Sequence, residues 1–122
     1  MEHWKITQPQ LPARIKDSSM REEIRDKGRL QHIVKYSTNV EEMTAGITYE
    51  EFSHDKLRYY AIMKNVEVVG EAAYMLTKEF IALHSELPWC QIIGMRHVLM
   101  HGYATISHDK LWKTAINDIP QL

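Results

Sequence analysis

Cysteine is nearly absent from this chain of 122 residues. The lone Cys90 excludes a disulfide framework and fits an intracellular protein. No apolar run approaches membrane-spanning length, and the N-terminus lacks the apolar core of a secretion signal, so the expected location is the cytoplasm, with no membrane partner. An excess of either charge is also missing. Fifteen Lys and Arg against sixteen Asp and Glu give a formal net charge of -1. That balance excludes coating nucleic acid by bulk electrostatics, because nonspecific affinity comes from many phosphate contacts. Any RNA partner has to be bound locally or across an interface. Asn-Gly and Asp-Gly hairpin signals and sustained apolar/polar alternation are lacking too, which removes a β-sheet fold.

What is present is helical. The length suits one domain, for which oligomerisation would add buried area. Residues 1–19 carry Pro9 and Pro12 among polar residues and read as an extended or flexible arm. Trp4, Arg14 and Lys16 lie in it, and Met20 directly after it is an alternative start. A helical domain over 20–122 follows. Ser19 with Glu22 resembles a capping box, and Ile24, Ile33, Val34, Val40 and Met43 run at helical spacing up to Gly46. Thr48 and Glu51 cap a short turn. Leu57, Ala61, Val69, Ala72, Ala73, Leu76, Phe80 and Leu83 then predict a long helix within about 54–84, with Gly70 as a bend. Pro88 suits a first helical position, Trp89, Ile92, Ile93, Leu99 and Met100 supply a buried face, and Gly102 terminates that helix. Ser107 caps a last helix in which Leu111, Trp112, Ala115 and Ile116 point inward before Pro120 stops it. The predicted fold is all-α, an antiparallel helical bundle with short loops.

Chemistry concentrates in Arg96-His97-Val98-Leu99-Met100-His101-Gly102-Tyr103. Arginine carries a permanent charge for a phosphate, histidine exchanges a proton near neutral pH, and tyrosine offers a hydroxyl that binds phosphate or accepts a modification. An arginine followed after four to six residues by a histidine is weak as a motif, since about one chance match is expected in such a chain. It occurs twice. Arg25 and His32 also satisfy it, on the first helix, where a solvated face is the ordinary reading.

Several segments together are more specific. Thr48-Tyr49-Glu50-Glu51-Phe52, Asn65-Val66-Glu67-Val68-Val69-Gly70-Glu71-Ala72-Ala73, Leu87-Pro88-Trp89, Ile92-Ile93-Gly94-Met95-Arg96 running into His101-Gly102-Tyr103, then Trp112 and Asp118-Ile119-Pro120, resemble the HepT-like ribonuclease toxins of the HEPN superfamily. The resemblance extends from about residue 29 to the C-terminus. It implies a HEPN-like bundle, a homodimer with its cleft at the subunit interface, and metal-independent endoribonuclease activity without a cofactor. It also implies a type VII-like toxin-antitoxin system whose partner is an MntA-like nucleotidyltransferase antitoxin, with tRNA as a candidate substrate. Arg96 and His101 match the catalytic pair, and Tyr103 matches the tyrosine to which the antitoxin adds AMP. His97 stands where HepT-like chains usually carry asparagine.

The residue chemistry fits that implication. In RNA the 2'-hydroxyl attacks the adjacent phosphorus, so cleavage needs a proton acceptor, a proton donor and a cation for the developing charge. His101 and Arg96 are of the right types. On an ideal helix they stand about 140° apart and about 7.5 Å along the axis, so helix geometry alone does not bring them together. Either Gly102 distorts the helix end, or a two-fold axis combines the motifs of two subunits, which is the arrangement favoured here. Glu71, set in an otherwise apolar stretch, is a candidate to orient Arg96. Two alternatives stay open. One is a noncatalytic partner that docks on a nucleotidyltransferase. The other is a metal-dependent hydrolase using His97 and His101, four residues apart, with His108 and Asp109 completing the ligands.

Overall fold

A computed structural model of the chain describes residues 18–102 and 107–122. The expected N-terminal arm and Tyr103 therefore lie outside the described residues, as do the side chains of the Ser19 and Glu22 cap. The elements are α1 (Ser18–Thr44), α2 (Tyr49–His54), α3 (Lys56–Tyr74), α4 (Lys78–Leu83), α5 (Trp89–His101) and α6 (His108–Lys113). A π turn, Thr114–Asp118, and a 3-10 turn, Ile119–Gln121, follow. No strand occurs among the described residues, and none of their helices is long and apolar enough to cross a membrane. The fold is an all-α, HEPN-like bundle.

Helix α3 is its axis, packed by α1 on one side and α5 on the other. Three cross-links show that α1 and α3 run antiparallel. Asp26 near the start of α1 is bonded by Thr77 just beyond α3, Asn39 donates to Asn65 at 3.0 Å, and Arg58 near the start of α3 donates to the Met43 carbonyl at 3.0 Å. Between these polar ties, Ile33 and Val40 of α1 meet a strip of α3 formed by Tyr59, Ile62, Val66, Val69 and Ala73. Trp89, Ile92, Met95 and Leu99 complete the core from α5, and Leu111, Ala115 and Ile119 close its end.

Local chemistry explains the boundaries. Gly46 turns the chain after α1 with a φ of 72°, a conformation that disfavours any residue with a Cβ. Thr48 and Glu51 form the reciprocal capping box, with bonds of 3.1 and 2.9 Å. Asp55, Thr77 and Ser107 each accept a backbone N–H at the start of a helix. Pro88 occupies the cap position one residue before α5, and Gly102 ends it.

The long helix expected within 54–84 is instead two helices, α3 and α4, separated at residues 75–77. The break has a tertiary cause. Asp26 is a buried carboxylate and accepts both the Thr77 backbone N–H at 2.9 Å and the Thr77 hydroxyl at 2.6 Å, while the same hydroxyl caps Phe80. A continuous helix would commit that N–H to its own backbone and leave the buried acid short of donors. Some expected core positions are exposed: Ile24, Val34, Leu57, Leu83, Met100 and Ile116. Ser37, Met95 and Ile119 are buried instead.

Gly70 is no bend. Helix α3 passes through it, and its role is close approach: a Cβ there would lie 2.5 Å from Arg96 Cβ and 3.0 Å from the Ile92 carbonyl. We expect Gly70→Ala to destabilise the fold by about 1–3 kcal/mol through overpacking, despite the roughly 1 kcal/mol by which alanine favours a helix. Gly28 meets nothing within 4 Å. Gly28→Ala should therefore raise stability by up to about 1 kcal/mol. Chemical denaturation checks the pair, and equal shifts in one direction would contradict the close approach.

Candidate functional site

Helix α5 carries Arg96, His97 and His101 and presents them differently. Arg96 lies against α3 with its side chain only 14% exposed, whereas His97 and His101 face outward. The close passage at Gly70 sets the Arg96 backbone against α3, and the next residue, Glu71, reaches its side chain. Arg96 Nε donates to Glu71 Oε2 at 2.6 Å. Tyr74, one turn further along α3, lies under the guanidinium, whose central carbon is 4.2 Å from the ring centroid. A charge-assisted bond on one edge and an aromatic face below fix the plane of the guanidinium. Glu71 engages only Nε, so both Nη groups lie outside that bond.

Glu71 is half exposed. An ion pair of that exposure contributes little stability, about 0.2–1 kcal/mol. Its consequence is orientation. The α3 residues Gly70, Glu71 and Tyr74 all meet Arg96, and Tyr74 did not figure in the sequence reading. Its only sequence signal is its position three residues after Glu71 and four after Gly70, on the same helix face.

The described contact of His101 is His97, with ring centroids 4.5 Å apart, rather than Arg96. The structure thus brings Glu71 to Arg96 and His97 to His101 and leaves two sub-sites on different sides of α5. Tyr103 falls outside the described residues. His108 is placed elsewhere, hydrogen-bonded to Ser53 at 2.9 Å and stacked on Tyr59 at 4.2 Å. Burial and neighbouring Tyr60 push the Tyr59 hydroxyl above its ordinary pKa. Tyr59 precedes Glu71 by twelve residues on α3, about 18 Å along the axis. His108 and Asp109, the latter paired with Lys113 at 3.2 Å, therefore do not complete a metal set with His97 and His101. No group of three potential metal ligands occurs among the described residues.

Among the described residues, two clefts bear on the site. One, of about 230 Å³, is lined by Arg29, His32, Val68, Glu71, Ala72 and Met75, and so adjoins the carboxylate that holds Arg96. The other, an open groove of about 940 Å³, runs past Leu87, Trp89, Ile93 and Asp118 and touches neither Arg96 nor His101. Burial raises the Asp118 carboxyl above the usual range there.

The described residues thus hold an oriented arginine on an all-α bundle, with His97 and His101 exposed on another face of the same helix. The family model for HepT-like ribonucleases matches residues 33–122, and the chain belongs to that family. It is 37% identical over 93 residues to a protein of Caldanaerobacter subterraneus subsp. tengcongensis named "Putative RNase", covering 76% of this chain and 83% of that one. It is 36% identical over 96 residues to the "Probable ribonuclease HepT" of Thermococcus cleftensis, covering 79% and 87%. A "Putative RNase" of Methanocaldococcus jannaschii is 32% identical over 96 residues, covering 79% and 88%. No solved structure matches significantly.

If Glu71 orients Arg96 rather than stabilising the bundle, Glu71→Gln should change unfolding free energy by less than about 1 kcal/mol. The Arg96 Nε–Hε resonance of nitrogen-labelled protein should nevertheless shift and exchange faster with solvent. A large stability loss with an unchanged Arg96 resonance would contradict the assignment.

Proposed function

We propose that this protein is an endoribonuclease that cuts RNA by attack of the 2'-hydroxyl on the adjacent phosphate, in a cleft shared by two subunits. The observation that carries the reading is the Glu71–Arg96–Tyr74 clamp on the helix that also exposes His101, in a chain of the HepT-like family. RNA supplies its own nucleophile, so the protein has to move protons and stabilise charge. A neutral His101 takes the 2'-hydroxyl proton as the new O–P bond forms. The bond from phosphorus to the 5'-oxygen breaks, and that oxygen receives from His101 the proton taken from the 2'-hydroxyl, while the partner subunit's Arg96 faces the same phosphate. Arg96 holds the non-bridging oxygens through its Nη groups. No step calls for a metal or cofactor.

This chemistry calls for a dimer, because Arg96 and His101 lie on different sides of α5. Cys90, Gly94, His97, Val98 and His101 share an exposed helix face, and the open space over Gly94 admits a second helix closely. We place the two-fold axis there, with His97 beside His101 at the cleft wall. In the toxin-antitoxin reading a nucleotidyltransferase transfers AMP to Tyr103, forming the tyrosyl O–P bond and releasing pyrophosphate from ATP. The added phosphate then competes with RNA for Arg96. Transfer RNA is the substrate class that this reading favours.

Arg96→Ala and His101→Ala should each reduce RNA cleavage by at least about a hundredfold without unfolding the protein. Cleavage by the wild-type chain should persist in EDTA and stop on RNA with 2'-deoxy at the cut position. Loss of activity in chelator with recovery on zinc, or normal cutting of the deoxy substrate, would overturn the mechanism. A wild-type chain that cuts no RNA, yet binds the nucleotidyltransferase, would indicate a docking partner. Mass spectrometry after co-expression with the nucleotidyltransferase should find AMP on Tyr103, and AMP only on another tyrosine would refute that control.

A further inference from the structure

The Arg25–His32 pair, which the site on α5 does not use, belongs to a larger pattern. Arg21, Arg25, Arg29, His32 and Tyr36 fall within an arc of about 80° on α1, one side chain per turn. This stripe precedes most of the region that the family model matches, which begins at residue 33. Arg25 and Arg29, four residues apart on this arc, repel one another unless an anion answers them. Asp26 faces the core and is bonded by Thr77, Glu23 lies on the far side of α1 from the stripe, and the side chain of Glu22 is outside those described. Arg25 is exposed and makes no ion pair among the described residues. Arg29 is half-buried, and its Nε is buried without a hydrogen-bond partner.

The stripe also leads somewhere. Arg29 and His32 line the 230 Å³ cleft together with Glu71, the residue that grips Arg96. Next along the stripe, His32 meets the edge of Tyr36 at 6.3 Å, and Lys35 lies 5.5 Å over the same ring. Cations in a row are the element that tracks the backbone of a single-stranded nucleic acid, and here the half-buried Tyr36, packed against the core, closes the row. From this we infer that α1 is a docking track for single-stranded RNA. It binds the backbone phosphates at Arg25 and Arg29 and delivers the strand past Glu71 to Arg96. The inference rests on the ribonuclease reading for its substrate class, and it explains how a chain without net positive charge holds a polyanion: the binding charge is concentrated along one helix edge.

The track is tested by fluorescence anisotropy, titrating labelled single-stranded RNA with His101→Ala protein across about 50 to 200 mM salt. Adding Arg25→Gln and Arg29→Gln should weaken binding about tenfold and lower the salt slope by about 1.4, the value for two lost phosphate contacts on a single strand. Lys27→Gln removes a charge from the opposite side of α1 and should change affinity less than about twofold. Circular dichroism verifies that each variant is folded. Binding unaffected by the two arginine substitutions, a single arginine substitution no more harmful than Lys27→Gln, or no RNA binding at all would overturn the track. Whether wild-type protein cuts the same RNA is read separately on a gel. Uncut RNA with arginine-dependent binding rejects the nuclease reading and keeps the track, and cut RNA with arginine-independent binding does the reverse.

Discussion

The site depends on one close approach, between α3 at Gly70 and α5 at Ile92 and Arg96. A side chain at residue 70 would hold the two helices apart. Without one, the Arg96 backbone lies against α3, and its long side chain starts close enough to be caught by residues on either side. Glu71 binds Nε and Tyr74 supports the guanidinium plane. Three α3 residues within five positions thus convert a flexible cation into a directed one. Most of the ordering entropy is lost when the bundle folds, before any phosphate arrives.

The same packing explains the division of the site. An arginine that turns toward α3 cannot also share the outward face of α5 with His97 and His101, because five residues of helix separate Arg96 from His101. A single subunit presents the Arg96 clamp on one side of α5 and His101 on another. The proposed two-fold axis along the exposed α5 face would supply each clamp with the partner subunit's histidine and so make the proposed cleft dependent on assembly.

Features governed by neighbouring residues were legible in the sequence. The capping box at Thr48 and Glu51 and the cap at Ser107 depend on side chains acting on their own backbone, and Gly102 ends α5 as expected, whereas Pro120 falls inside the 3-10 turn Ile119–Gln121 rather than ending α6, which stops at Lys113. Features governed by distant partners were not. The break after Tyr74 depends on Asp26, fifty-one residues before Thr77. Gly70 reads as a bend because a glycine inside a helix carries the same sequence signal whether it kinks the chain or admits a neighbour. The spacing of His97, His101 and His108 suggested metal ligands, but Ser53 and Tyr59 hold His108 at the other end of α3. The clamp was half legible: Glu71 stood out as a carboxylate in an apolar stretch, whereas Tyr74 looked like one more aromatic.

Subunit complementation tests the shared cleft most directly. Arg96→Ala and His101→Ala proteins, each inactive alone, are mixed under conditions that exchange subunits, and RNA cleavage is measured against the wild-type dimer. In the mixed dimer one cleft pairs the intact Arg96 of one subunit with the intact His101 of the other. The account predicts that cleavage returns to a substantial fraction of the wild-type rate only after exchange. If mixed dimers form, as native mass spectrometry would establish, and cleavage stays at the level of the separate variants, the cleft is not shared and the central claim is wrong.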